Sequence, residues 1–202
     1  MYGSAPRRLR AVGAPRLRAI GAPRLLLALA STLVLGACAS SPMANAPMVP
    51  FSQMSLPDAV KVPAGHRVAM ETVGVGSITY ECRDRANAAG QEWAFVGPDA
   101  TLQDRAGRRI GRYYGPPATW EGSDGSRLTG SQVAVAPAGA GDIPLQLVRA
   151  APPVSGAMAG MTYIQRVATR GGVAPAMPCD AAARGKREVV TYQADYIFYR
   201  AG

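Results

Sequence analysis

The sequence predicts an all-β fold: an antiparallel sandwich or barrel with little or no helix, preceded by a signal-peptide helix and a flexible tether. Three observations carry this. Apolar and polar residues alternate with period two through most of the chain after residue 57. Turn-forming clusters such as GPDA, DRAG, PAGAGD and RGG interrupt that alternation at short intervals. With 202 residues, 48% of them hydrophobic, the chain can bury the core of one ordinary domain.

The first 37 residues form a leader. Arg7, Arg8, Arg10, Arg16, Arg18 and Arg24 precede the apolar run LLLALASTLVLGA, and no acidic residue accompanies them. That run falls short of the roughly 20 apolar residues that span a bilayer, so it reads as a signal peptide. Its end, LGAC from Leu35 to Cys38, resembles the bacterial lipobox, in which small residues precede a cysteine that is acylated before cleavage. The expected product is a lipoprotein whose membrane partner is reached through lipid on Cys38.

The leader also explains the charge. The formal net charge is +9, from 22 basic and 13 acidic residues. Removing the six leader arginines from 22 leaves 16 against 13, an excess of only +3. A nucleic-acid partner is therefore not expected.

Residues 38–57 comprise the lipidated cysteine and a flexible tether, proline-punctuated and without charge, that lets a head stand off the membrane. Ala39 and Ser40 follow the cysteine. An aspartate at that place commonly marks inner-membrane retention, so its absence favours the outer membrane, facing the periplasm or the surface.

Residues 58–202 form the β-rich domain. In VVTYQADYIFYR, Val190, Tyr192, Ala194, Tyr196 and Phe198 share one face, while Thr191, Gln193 and Asp195 share the other. SITYEC places Ile78, Tyr80 and Cys82 together, EWAFV places Trp93 with Phe95, and IPLQLV places Ile143 with Leu145 and Leu147. HRVAMETV, TLQD, RRIGRYY, SQVAVA and MTYIQRVAT supply further strands. In DRAG, Asp104 and Gly107 occupy the first and fourth places of a type I turn. The one helical scrap is DAAAR, from Asp180.

With Cys38 lipidated, Cys82 and Cys179 remain as a pair in an oxidising compartment and are expected to form a disulfide. A zinc site is disfavoured, because the chain has no C-x-x-C and His66 is its single histidine. No metal and no cofactor are expected. GVGSIT at Gly74 lacks the third glycine and the helix of a dinucleotide fingerprint.

Taken in succession, GSITYEC, EWAFVGPDATLQD, GRRIGRYYGPPATWEGSDGS, TYIQRVATRGGVAPAMPC and VTYQADYIFY resemble an uncharacterised family of secreted bacterial and fungal proteins, the domain of unknown function DUF3455. The most specific pieces are GP-x-A-x-L from Gly97, W-E-x-x-D-G-S from Trp120, and R-x-x-T-x-G-G, which leads to Cys179. The resemblance covers nearly all of the head and implies a secreted β-rich domain, with no catalytic residue to carry over. It departs from the pattern at Gly111–Tyr114, where relatives tend to read G-x-H followed by an aromatic. Tyr113 cannot do a histidine's chemistry near neutral pH.

Residues 111–125, GRYYGPPATWEGSDG, gather more groups capable of stacking or chemistry than any other stretch. As a ligand site, Tyr113, Tyr114 and Trp120 would stack on a sugar or apolar molecule, and Glu121 and Asp124 would accept hydrogen bonds. As a loop, GPP and SDG are turn formers, Trp120 is a core anchor, and Asp124 caps its own turn. Turn chemistry accounts for every breaker and is preferred, although no other stretch is a better site candidate.

No serine triad is expected, because His66 lies in VPAGHRV as a solvated surface residue and no G-x-S-x-G occurs. The expectation is an exported, lipid-anchored envelope protein with a non-enzymatic binding or structural domain, its partner a glycan or another envelope protein. The alternative is a secreted, glycan-directed hydrolase using Glu121 and Asp124 as its two carboxylates.

Overall fold

The computed structural model describes residues 49–202 apart from residue 154. The signal peptide, Cys38 and the first part of the tether lie outside the described residues. Eight antiparallel strands form one closed barrel in chain order: β1 His66–Asp84, β2 Gln91–Gln103, β3 Arg109–Tyr114, β4 Thr119–Gly122, β5 Arg127–Ala136, β6 Leu145–Ala151, β7 Met161–Gly171 and β8 Arg187–Ala201. Of sandwich and barrel, the barrel is correct. The last strand closes on the first over a register running from His66 opposite Ala201 to Glu81 opposite Arg187.

The period-two alternation becomes the inside and outside of the barrel. Tyr192, Ala194, Tyr196 and Phe198 of β8 all point into the main core, with Val190 packed against it. Ile78 and Tyr80 of β1, Leu102 of β2, Leu128 of β5 and Ile164 of β7 belong to the same core. An eight-stranded barrel is just wide enough for side chains to fill it or for one small ligand.

GVGSIT lies inside β1, where its glycines bring strands together. A Cβ on Gly76 would collide with the backbone of Asp99 and Ala100, and one on Gly74 would sit 2.7 Å from the Tyr196 ring.

A second, smaller core lies outside the barrel wall. Ile197 and Tyr199 of β8, Tyr163 and Val167 of β7, and Leu147 of β6 point outward, and a strap formed by residues 51–62 covers them with Phe51, Leu56, Val60 and Val62. A short 3-10 turn, Asp58–Val60, shapes the strap.

Polar groups pin it. The Gln165 side chain, 0% exposed, donates to the Val60 carbonyl at 2.6 Å and to Gln53 Oε1 at 3.0 Å. Tyr199 donates its hydroxyl to Gln165 Oε1 at 2.6 Å. The packed unit thus includes Phe51 and Leu56, which the sequence reading gives to the tether.

Several local expectations are corrected. GRYYGPPATWEGSDG is not one loop but a hairpin, with its aromatic residues in β3 and β4 and only GPPA and SDG turning. DAAAR folds as hydrogen-bonded turns, with Ala183 N donating to the Asp180 carbonyl at 3.0 Å, rather than as a helix. Ile143 joins the main core while Leu145 and Leu147 join the outer one, because β6 begins only at Leu145. His66 is half-buried, its ring edge-on to Tyr163 at 4.9 Å, instead of fully solvated.

Cys82 and Cys179 are joined in a disulfide, with a Cα separation of 5.5 Å. It ties the end of β1 to the β7–β8 connection, which Trp93 also holds by donating Nε1–H to the Met177 carbonyl at 2.9 Å.

Candidate functional site

The hairpin separates the five candidate residues onto two faces and one turn. Alternation sends Tyr113 and Trp120 inward, where they are 5% and 1% exposed. Their rings stack at 4.7 Å with planes 22° apart, and Trp120 also meets Tyr196 and Phe198 edge-on. Trp120 is a core residue. Its Nε1–H has no acceptor among the described residues, an uncommon state for a buried donor.

Tyr114 and Glu121 face outward. Tyr114 donates its hydroxyl to Glu121 Oε2 at 2.9 Å, Arg127 Nε donates to the same oxygen at 3.0 Å, and the Arg112 guanidinium lies 4.3 Å over the Tyr114 ring. The Tyr114 hydrogen bond, followed by Arg127, holds the Glu121 carboxyl below its ordinary range.

Asp124 sits in the β4–β5 turn. It accepts from Ser126 Oγ at 2.7 Å and Ser126 N at 3.1 Å, and its other oxygen accepts from Ala157 N at 2.7 Å. The Ser126 hydroxyl first, then Ala157, keeps this carboxyl low as well. Asp124 thus caps its own turn and fastens the β6–β7 connection to it. Both carboxylates stay ionised, and neither has the raised pKa that a general acid in glycoside hydrolysis needs.

A concave site lies elsewhere, at the barrel end where β1, β3, β5 and β7 finish. It is a cleft of about 500 Å³, within the usual size range of small-molecule sites. Tyr113 and Trp120 contribute to its floor from the core. Ile78, Tyr80, Ile143 and Val148 form apolar walls, and Phe95 and Val135 stand at the rim, 55% and 45% exposed. The polar groups are few: Gln146 donates Nε2–H to Gln132 Oε1 at 2.7 Å, and Arg166 lies beside them.

Three β-bulges shape this end. The register slips at Val96 in β2, at Val133 in β5, and between Val167 and Arg170 in β7, where Ala168 has φ +47°. An extra residue swaps which parity points inward, so Phe95 and Val135 reach the mouth although Ala100 and Gln132 face in from the opposite parity. Sequence reading missed Gln132, Gln146 and Arg166, although R-x-x-T-x-G-G, which begins at Arg166, was among the most specific motifs.

Residues 63–200 match the family model described as "Protein of unknown function (DUF3455)". The chain belongs to this family. No curated protein matches the chain, and no solved structure does. The matched span begins directly after the strap and takes in all eight strands but for the last residue of β8, so the cleft lies wholly within the family domain.

Proposed function

We propose that this is an exported, lipid-anchored envelope protein whose β-barrel is a non-enzymatic binding domain, and that it holds a small, mainly apolar ligand at the barrel mouth. One observation carries the binding reading: the closed barrel leaves a cleft of about 500 Å³ at one end, walled by aromatic and aliphatic side chains with a few polar groups beside them. The Cys82–Cys179 disulfide fits an oxidising compartment outside the cytoplasm. The leader and Cys38 supply the anchor. Glu121, held through Oε2 by Tyr114 and Arg127, and Asp124, held by Ser126 and Ala157, have lowered carboxyl pKa values, which favours the binding reading over the hydrolase alternative. With Tyr113 and Trp120 covered, the floor suits an apolar body better than a sugar lying on an exposed platform.

Decanol is a suitable neutral probe. Tryptophan fluorescence of the exported protein should show saturable binding, and Val135→Trp, which fills the rim, should abolish it. A wild-type protein that shows no saturable response would sink the binding reading. The anchor is tested separately by Cys38→Ser, which should move the protein out of the membrane fraction, since acyl chains contribute about 0.8 kcal/mol per buried methylene. Unchanged retention would overturn the anchor.

A further inference from the structure

We propose that Arg166 is the anchor for the carboxylate of a singly charged amphipathic ligand, whose apolar body lies in the barrel mouth. This deepens the binding reading above and rests on it. Arg166 follows Ile164 on the inward face of β7 and is the only charged residue lining the cleft among the described residues. Its Nε and Nη2 both donate to the Pro144 carbonyl, at 3.2 and 2.9 Å, which fixes the plane of the guanidinium. Nη1 has no acceptor among the described residues.

Some arginines of the barrel wall are paired, Arg105 with Glu71 and Asp195, Arg127 with Glu121, and Arg187 with Glu81. Among the described residues Arg166 shares the lack of a carboxylate partner with Arg67, Arg109, Arg112, Arg149, Arg170 and Arg200, and of these it alone lines the cleft. No described carboxylate lies within 4.0 Å of Arg166, and the chain has none before Asp58. A half-buried cation without a counter-ion is costly, and a bound anion would relieve that cost.

The field of this charge reaches inside. Arg166 draws the hydroxyl pKa values of Tyr80 and Tyr113 downward, against the larger upward push of burial. Two residues beyond it, Ala168 holds the left-handed φ of +47° in the β7 bulge, a strained conformation of the kind found beside binding sites.

The chemistry of the ligand follows from these parts. A guanidinium with a free edge matches a carboxylate. One lining cation balances one negative charge, so a doubly charged headgroup would leave a charge uncompensated. The Gln132–Gln146 pair can serve a second polar atom near the head, while Phe95 and Val135 at the rim accept an apolar body entering from outside.

The test compares decanoate with decanol, which share a chain length and differ in charge. Both are titrated into the exported wild-type protein and into Arg166→Gln and Arg166→Lys, with melting temperatures recorded in parallel. Wild type should bind decanoate at least about tenfold more tightly than decanol, the scale of one charge-assisted hydrogen bond. Arg166→Gln should erase that preference yet still bind decanol, which also reports that its cleft is intact, and Arg166→Lys should restore part of it.

Equal binding of the two probes by wild type would overturn the anchor while leaving the binding reading in place. So would a preference that survives in Arg166→Gln. Binding of neither probe would overturn both. If Arg166→Gln does not fold, a charge preference in Arg166→Lys that is smaller than that of wild type at low salt and lost at high salt supports the anchor, and one indifferent to salt overturns it.

Discussion

Tyr113 and Trp120 stand directly opposite one another on β3 and β4, and their rings stack at 4.7 Å inside the barrel. Backbone pairing and side-chain stacking thus coincide at one place, with Tyr196 and Phe198 closing around the indole. Trp120→Ala should cost about 3–5 kcal/mol in denaturant unfolding, because the cavity it leaves lies among aromatic rings that cannot collapse into it. Glu121→Gln, on the outer face of the same strand, should cost far less. A Trp120→Ala protein as stable as wild type would show that the indole is not a core anchor.

Gln165 is the knot of the strap. Gln165→Ala removes the partner of the Val60 carbonyl and of the Tyr199 hydroxyl, each worth about 1–3 kcal/mol when left buried and unpaired. Tyr199→Phe should therefore cost less in the Gln165→Ala background than alone, a coupling that a double-mutant cycle reads directly. Strict additivity would mean that the two side chains do not support each other.

Acid should weaken the fold through Glu81. Hydrogen bonds from Arg83 at 2.7 Å and Arg187 at 2.6 Å, in that order of effect, bring its carboxyl from 4.5 down to about 2. Because the folded pKa lies below the unfolded one, this stabilisation is fully present above about 4.5 and is lost as the pH falls toward 2. Melting temperature followed across that window should fall less steeply for Glu81→Gln than for wild type. Parallel curves would remove Glu81 from the account.

The bridge from Cys82 to Cys179 closes a span of 97 residues. Nonreducing mass spectrometry of the protein purified without reductant should find the two joined, and the double serine variant should lose about 2–4 kcal/mol. Two free thiols in that protein would contradict the structure.

Much of this architecture is legible in the chain, and the parts that are not have physical reasons. The inward set Tyr192, Ala194, Tyr196 and Phe198 reads directly, because one face of β8 is all core. Ile197 and Tyr199 read as exceptions on the polar face, because the segment that covers them lies far away in sequence. The bulges at Val96 and Val133 leave no compositional mark, so parity counted along EWAFVGPDATLQD or SQVAVA fails halfway. Aromatic density drew attention to residues 111–125, but strand alternation divides them between core and surface. Arg166 passed as an ordinary polar residue of an alternating strand, since a barrel mouth tolerates inside what a barrel centre does not.

The pairing of β1 with β8 also dictates the order in which the molecule can form. His66 finds its partner only in Ala201, so loop-closure entropy across almost the whole domain must be overcome before the final contacts are made. Until Arg187–Ala201 has emerged and docked, β1 and β7 both present bare edges, open to any other strand nearby. A chain interrupted before β8 is therefore an unfinished sheet with two adhesive margins, disposed to join others of its kind.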